Sequence, residues 1–359
     1  MHYSRFTIRF KWLPIALLLF SGCQQDDPVE SEDQLYIRFM PEDVATKALP
    51  KEIFAEGDQV GIIQYLYVVN EQGNVSGTSD WDTKKVQIKP DVDFYNKNGF
   101  YKDGLLDYGK AKAWSEIAED QYTFFAYYPS TESDKDISIS DKNLIGAPFL
   151  TYRLPYEVKT DETAKHDFSK VKDLMAASRF NHKKKYGAVK LVFNHLLSCV
   201  DFAIHNLNTS NKIRLLSLEL SGSFYQEIKV NMETLAFEKS STSNYVFPIL
   251  SNSCDFSSTL TGGAESIGKQ EKNYLFIIPQ SMPGDWSVSA TWQVLDNQGN
   301  PINADKTNAI SIPVGSKLTF LPGKKHTFTL NFLGDVCTIT SQHTDWETPD
   351  GEDNNIEFE

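Results

Sequence analysis

Short runs of alternating apolar and polar residues, bounded by Gly, Asn, Asp and Pro, recur along the chain, the pattern of half-buried strands. The first is LYIRF at 35 to 39, where Leu35, Ile37 and Phe39 share one parity and Tyr36 and Arg38 the other. MPEDVATKALPKE follows with two prolines, several charges and little periodicity, and is expected as an exposed loop open to a protease. FAEGDQVGIIQYLYVV, 54 to 69, sets a Gly-Asp turn before a core strand, and NEQGNVSGTSD behind it is turn chemistry. Short pieces between Trp81 and Lys112 read as a meander. YTFFAYY, 122 to 128, is the most aromatic run; it stops at Pro129 and should lie centrally in a first core. Leu150 to Pro155 reads as an edge strand.

Further along, Val189, Leu191 and Phe193 alternate, then the parity reverses across NHLLSC to Val200, Phe202 and Ile204. A one-residue change of parity exchanges the two faces, so a bend or bulge must lie between. Short strands continue through KIRLLSLELSG, SFYQEIKVNME, NYVFPIL and NYLFIIPQ, with Trp286, Val288, Ala290 and Trp292 on one face and KKHTFTLNFL and VCTITS at the close. Helical patterning is confined to WSEIAED, 114 to 120, and to Phe168, Val171, Leu174 and Met175, whose spacing by three and four predicts a helix over 168 to 178 or a covered connector. Lys183, Lys184 and Lys185 mark a solvated boundary. The expectation is an all-β protein with short helical connectors, a sandwich domain over 35–185, a second over 186–346, and a loose acidic tail over 347–359.

Composition sharpens this. Aromatics are 13% of the chain, with 23 Phe and 16 Tyr, residues that suit pleated, half-buried surfaces. A net charge of −13 repels nucleic acid and anionic lipid. Beyond Cys23 the cysteines are Cys199, Cys254 and Cys337, widely spaced and odd in number, so they form no metal pattern and at most one bridge. The 7 histidines show no HExxH or cysteine-paired spacing, and His195, in the parity reversal, reads as a hydrogen-bonded structural residue. GAESIGKQ, 263 to 270, nearly matches a phosphate-binding loop, but Gln270 stands where Ser or Thr would hold magnesium. Acid pairs such as Glu119 with Asp120 and Asp161 with Glu162 are sequence neighbours that need not face each other across a cleft, and no GxSxG elbow occurs. No catalytic residue, metal site or cofactor is expected.

At the start, Arg5, Arg9 and Lys11 precede a short apolar core from Trp12 to Phe20, and Ser21 and Gly22 lead into Cys23. Residues 1–22 therefore read as a secretory signal, too short in its apolar part to span a bilayer. The small pair before the cysteine resembles the lipobox of bacterial lipoproteins, which implies that Cys23 becomes the first mature residue and carries diacylglycerol; Phe20 departs from the usual Leu. The alternative is a plain secretory signal. Residues 23–34 are polar and acidic, a solvated tether. Gln24, Gln25, Asp26 and Asp27 resemble the acidic surface-export signal of gut-type Gram-negative lipoproteins, with a generic linker as the alternative.

Several motifs in order carry a wider resemblance: FAEGDQVGI at 54 to 62, FFAYYP at 124 to 129, DLMAAS at 173 to 178, LVFNHLLSCVDFAI at 191 to 204, YLFIIPQ at 274 to 280 and LPGKKHTFTL at 321 to 330 before Trp346. Together with Cys23 they resemble the fimbrillin family, outer-membrane lipoproteins that build or anchor type V pili and serve adhesion. The resemblance implies two tandem transthyretin-like sandwiches joined near residue 185. It also implies assembly with other fimbrillin subunits, attachment to the outer membrane through lipid, and a host or bacterial surface ligand. In such proteins a trypsin-like protease removes the first strand after a basic residue, and a neighbour's donor strand fills the groove. Here Leu35, Ile37 and Phe39 match the removable strand. Lys47 stands where arginine is common, and Arg38 lies inside the strand, so an arginine-specific protease would lack its usual site; this raises the case for a subunit that stays lipidated. VCTIT and the later Ile356 and Phe358 are donor candidates, with an ordinary terminal strand as the alternative. The alternative function is a surface lipoprotein that binds glycans through Tyr95, Tyr101, Tyr108 or Trp114.

Overall fold

A computed structural model describes residues 35–43, 54–67, 80–86, 88–118, 120–159, 165–259, 263–268, 274–281, 286–303, 307–313, 319–345 and 356–358. The signal, Cys23, the tether and Lys47 lie outside the described residues. The first part of the chain forms β1 (Phe39–Asp43), β2 (Gln59–Tyr67), β3 (Lys97–Lys102), β4 (Leu105–Asp107), β5 (Gln121–Tyr128), β6 (Ile137–Ile139), β7 (Phe149–Arg153), β8 (Glu157–Val158), β9 (His166–Asp167), β10 (Met175–His182) and β11 (Val189–His195). Then come β12 (Ser198–Asn206), β13 (Lys212–Tyr225), β14 (Glu227–Asn231), β15 (Phe237–Lys239), β16 (Thr242–Pro248), β17 (Cys254–Phe256) and β18 (Glu265–Ser266). The last are β19 (Leu275–Ile277), β20 (Ser287–Leu295), β21 (Asn308–Pro313), β22 (Lys324–Leu333), β23 (Val336–Asp345) and β24 (Ile356–Phe358). The protein is nearly all β, as composition and alternation lead one to expect. A helix α1 (Trp81–Lys84), capped by the Asp80 side chain accepting from the Thr83 amide at 2.9 Å, stands where short meander strands were expected.

A 7-stranded sheet runs β1-β11-β10-β5-β2-β3-β4. Its central strands β2 and β5 are buried on both faces, which is why YTFFAYY is an apolar run rather than an alternation. Along β2 and β5, Val60, Ile62, Phe124 and Ala126 enter one core, while Ile63, Tyr65, Phe125 and Tyr127 enter another. Where these two central strands pair Gly61 with Tyr127, a Cβ on Gly61 would stand 2.3 Å from the Tyr127 ring, so only glycine fits beside that phenol.

The smaller core lies inside the curl of this sheet and holds Ile37, Phe39, Phe54 and Phe193. The larger core runs continuously from Ile63 to Ile339 and takes in the 6-stranded sheet β18-β12-β22-β23-β24 and the 5-stranded sheet β16-β13-β20-β21 with their side branches β19 and β17. Trp286, Val288, Ala290 and Trp292 all face it, as their spacing predicts. A 4-stranded sheet, β15-β14-β7-β6, mixes strands from both halves of the chain.

The sheets therefore do not divide at 185/186. Lys183–Lys185 belong to the turn between β10 and β11, with a 3-10 turn at Lys184–Tyr186, and β11 returns into the first sheet. The crossing comes at Leu196 and Leu197, between β11 and β12, where the parity reverses. A hairpin turn and a linker are both charged and solvated, so a lysine run alone does not tell them apart.

Other expectations also shift. Phe168, Val171 and Leu174 are buried but lie on an irregular covered connector, and Met175 opens β10, so the helix over 168–178 is not formed. Trp114–Ala118 is likewise irregular, and the Asp120 amide donates to the Ile117 carbonyl at 3.1 Å. Leu150 lies in β7, which is central, between β14 and β6. The first strand is β1, displaced towards Asp43: Ile37 and Phe39 are buried, but Leu35 is 43% exposed. Pro41 is accommodated because β1 is an edge strand.

Candidate functional site: a plugged sheet edge

The stretch 35–43 is held from two sides. Its upper part, β1, pairs in parallel with β11, from Phe39 opposite Val189 to Asp43 opposite Phe193, and the Val189 amide donates to the Arg38 carbonyl at 2.7 Å. Its lower part bonds to the chain beyond β4. The Ile37 amide donates to the Lys112 carbonyl at 2.8 Å, and the Trp114 amide donates to the Leu35 carbonyl at 3.2 Å. Tyr108 donates its hydroxyl to the Ile37 carbonyl. Burial raises the pKa of this phenol, so it stays protonated and keeps its donor role across the neutral range.

Side chains supply most of the attachment. Ile37 and Phe39 are 1% and 0% exposed, and each such burial contributes roughly 1.5–3 kcal/mol. The Phe39 ring meets Phe124 edge-on at 5.2 Å and Tyr108 at 5.7 Å, with Phe94 at 6.0 Å. Outside the core, Lys190 reaches Glu42 at 2.9 Å, but both are well exposed and such pairs add little. Arg38 is half-buried, on the parity opposite Ile37 and Phe39. The plug is thus a short apolar strand in an aromatic socket.

β1 and β4 are the two ends of the sheet order and lie close to each other without being paired in it. A cavity of about 530 Å³ lies in this seam, lined by Tyr36, Arg38, Phe39, Leu105, Leu106 and Tyr108 among others. Lys102, Asp103 and Asp107 supply charges of both signs around it. Sequence reasoning missed the seam, because it depends on how far the 7-stranded sheet curls, which no local pattern states.

The structure removes the aromatics proposed for glycan stacking. Tyr101, Tyr108 and Trp114 are 1%, 7% and 6% exposed, and Tyr95 packs against the large core with its hydroxyl donating to the Ser140 carbonyl. One-faced strands bury their rings, and these are core residues. His195 pairs through Nδ1 with the Asp173 carboxylate, consistent with a structural histidine. Cys199, Cys254 and Cys337 form no disulfide. GAESIG forms β18 and a turn whose Gly268 amide donates to the buried Asp201 carboxylate at 3.0 Å, so that donor serves the protein's own anion. Among the described residues no group of three or more His, Cys, Asp or Glu gathers as a metal set, and no helix is long and apolar enough to cross a membrane.

Comparison with known proteins agrees with this architecture. The model of the fimbrillin-like family matches residues 46–346. A fimbrium subunit, Fim1C of Phocaeicola vulgatus, is 24% identical over 322 residues, covering 79% of this chain and 82% of that protein. A crystal structure of a fimbrial protein from Bacteroides vulgatus aligns with a TM-score of 0.61 at 19% identity, over 87% of this chain and all of that one. A structure described as a candidate cell-adhesion protein from Bacteroides uniformis aligns at 0.50 and 14% identity, over 87% of this chain and 99% of the other.

Proposed function

The chain belongs to the fimbrillin-like family, structural pilus components of the cell surface, and from that premise we propose that it assembles by exchange of the 35–43 strand for a strand of a neighbouring subunit. The observation that carries this is the socket of Ile37 and Phe39. Removing the strand would expose an apolar cleft beside the unpaired edge of β11, and an extended segment with apolar residues at alternate positions would refill both the side-chain sockets and the backbone bonds. β11 lies between β1 and β10, so nothing else in the chain would need to move.

Two further parts of the reading rest on sequence. Lipid on Cys23 would tether the unprocessed subunit to the outer membrane. Cleavage in the stretch after Asp43, at Lys47 or near it, would free the strand from the body and the body from the membrane. A lysine at that position suits a protease of broad basic specificity and resists an arginine-specific one. The adhesion role follows the family, and the burial of Tyr101, Tyr108 and Trp114 argues against a glycan site built on those rings.

Mass spectrometry of the protein from native outer membranes, with electrophoresis of unheated samples, tests the reading. The expected result is a lipidated form starting at Cys23, a trimmed form starting between residues 44 and 54, and ladders containing only the trimmed form. Ladders built from chains that retain residues 35–43 would overturn strand exchange. A purely lipidated population without ladders would leave only the anchor role.

A further inference from the structure

β12 starts at Ser198, just after β11, and ends at Asn206, where three connections meet: β12 to β13, β20 to β21, and β22 to β23. Asparagines strap them together. Asn206 is 0% exposed and Asn208 8%. Asn206 donates through Nδ2 to the Asn211 carbonyl at 2.9 Å and the Phe256 carbonyl at 3.1 Å, and its Oδ1 accepts from the Asn208 side chain at 2.8 Å. Asn208 Oδ1 in turn accepts from the Gly334 amide at 2.8 Å, and Trp292 Nε1 donates to the Gly334 carbonyl at 3.4 Å. Buried amides are costly unless bonded, and these two spend their bonds on fixing the Asn211 backbone and the Gly334 turn. That is the support a binding site needs behind its contact residues.

Beside this network lies a cavity of about 340 Å³, lined by Asn211, Asn303, Asn308 and Asp335 with Val294 and Ile302. Its size is within the range of small-molecule sites, roughly 300–1,000 Å³. Asn308 Nδ2 donates to the Asp335 carboxylate at 3.1 Å. The side chains of Asn211 and Asn303 make no hydrogen bond among the described residues. The same end carries Ile302, Leu333 and Val336, which are 57%, 59% and 62% exposed.

We propose that this loop end binds a neutral oligosaccharide. An asparagine side chain holds a donor and an acceptor side by side, which matches two neighbouring hydroxyls of a sugar ring. Exposed aliphatic side chains cover the C–H faces between those hydroxyls. No lysine or arginine lines the cavity and Asp335 does, which disfavours a phosphorylated or sulfated ligand. No aromatic ring lines it either, so a nucleobase would find nothing to stack on. The 35–43 strand takes no part, and the site stands or falls apart from strand exchange. A few hydrogen bonds in an open cavity give weak binding per subunit, and many copies along one filament would raise it by avidity.

Calorimetric titration of the full chain with maltopentaose, mannopentaose and cellopentaose, together with hydrogen exchange, provides the test. The expected result is saturable binding of at least one of the three in the millimolar range or tighter, with slower exchange in the 333–336 turn. Asn211→Ala and Asn303→Ala, which remove side chains without partners, should each weaken it by about three- to tenfold. Binding of none of the three would overturn the proposal, and so would binding that both variants leave unchanged. Slowed exchange at 333–336 that grows with protein concentration and needs no saccharide would show that a second copy covers this end, and would also overturn it.

Discussion

At the scale of single residues, the buried histidines carry the clearest chemistry. His326 is 1% exposed, and its Nε2 accepts from the Leu321 amide at 3.3 Å. Burial, with His343 and Lys324 alongside, pushes its pKa down from 6.5 to about 3. The folded state thus rejects a proton that the unfolded chain takes up below pH 6.5. The resulting stability is complete above that pH and is lost as the pH falls from 6.5 towards 3. At pH 5 the loss is about 2 kcal/mol. His182 and His166 are shifted the same way by burial, so melting temperature should fall between pH 7 and pH 5, and His326→Gln should flatten that fall. An unchanged slope in the variant, measured by thermal melts across the range, would show that His326 is not a principal source.

At the scale of elements, β1 separates two readings of one pattern. Alternation alone puts Leu35, Ile37 and Phe39 on one face, but only Ile37 and Phe39 enter the core and Leu35 is 43% exposed. Phe39→Ala should cost about 3–5 kcal/mol because it empties a box of three aromatic rings, and hydrogen exchange in β1 should accelerate accordingly. Leu35→Ala should stay within about 0.5 kcal/mol. Chemical denaturation of both variants decides it, and equal losses would contradict the register found here. The sequence made the strand legible because period-two alternation is local. Its end points were not, because where a strand begins depends on the partner it meets, here Val189 to Phe193. The same limit explains the connector at 168–174. Phe168, Val171 and Leu174 are spaced as on a helix, and all are buried, but an irregular segment can bury the same residues when Tyr152 of β7 and Phe247 of β16 lie against it. The parity reversal at 196–197, by contrast, was readable, since no single strand can change faces without a break.

At the scale of the whole molecule, the sheets do not separate into the two halves that length and a lysine run suggest. β14 pairs with β7 from Glu227 opposite Arg153 to Asn231 opposite Phe149, so a hairpin from the second half extends a sheet begun in the first. Lys85 reaches Glu233 across the same divide at 2.6 Å. The large core contains Tyr65 and Phe125 from the first sheet together with Phe202 and Trp292 from the later ones. Unfolding either half would strip cover from apolar surface of the other, and that coupling exceeds what a flexible linker between independent domains provides. Calorimetry of the described body should therefore show one cooperative transition. Tyr152→Ala, which removes a fully buried ring from β7 in the shared sheet, should lower that single transition rather than split off a low-temperature one. Two transitions in the unaltered protein would mean that the halves melt independently. For a pilus component the coupling has a mechanical consequence. Tension applied at the socket of β1 passes from the smaller core to the larger through the 7-stranded sheet, whose β2 and β5 send side chains into both, so the load path crosses packed strands and not a hinge within the subunit.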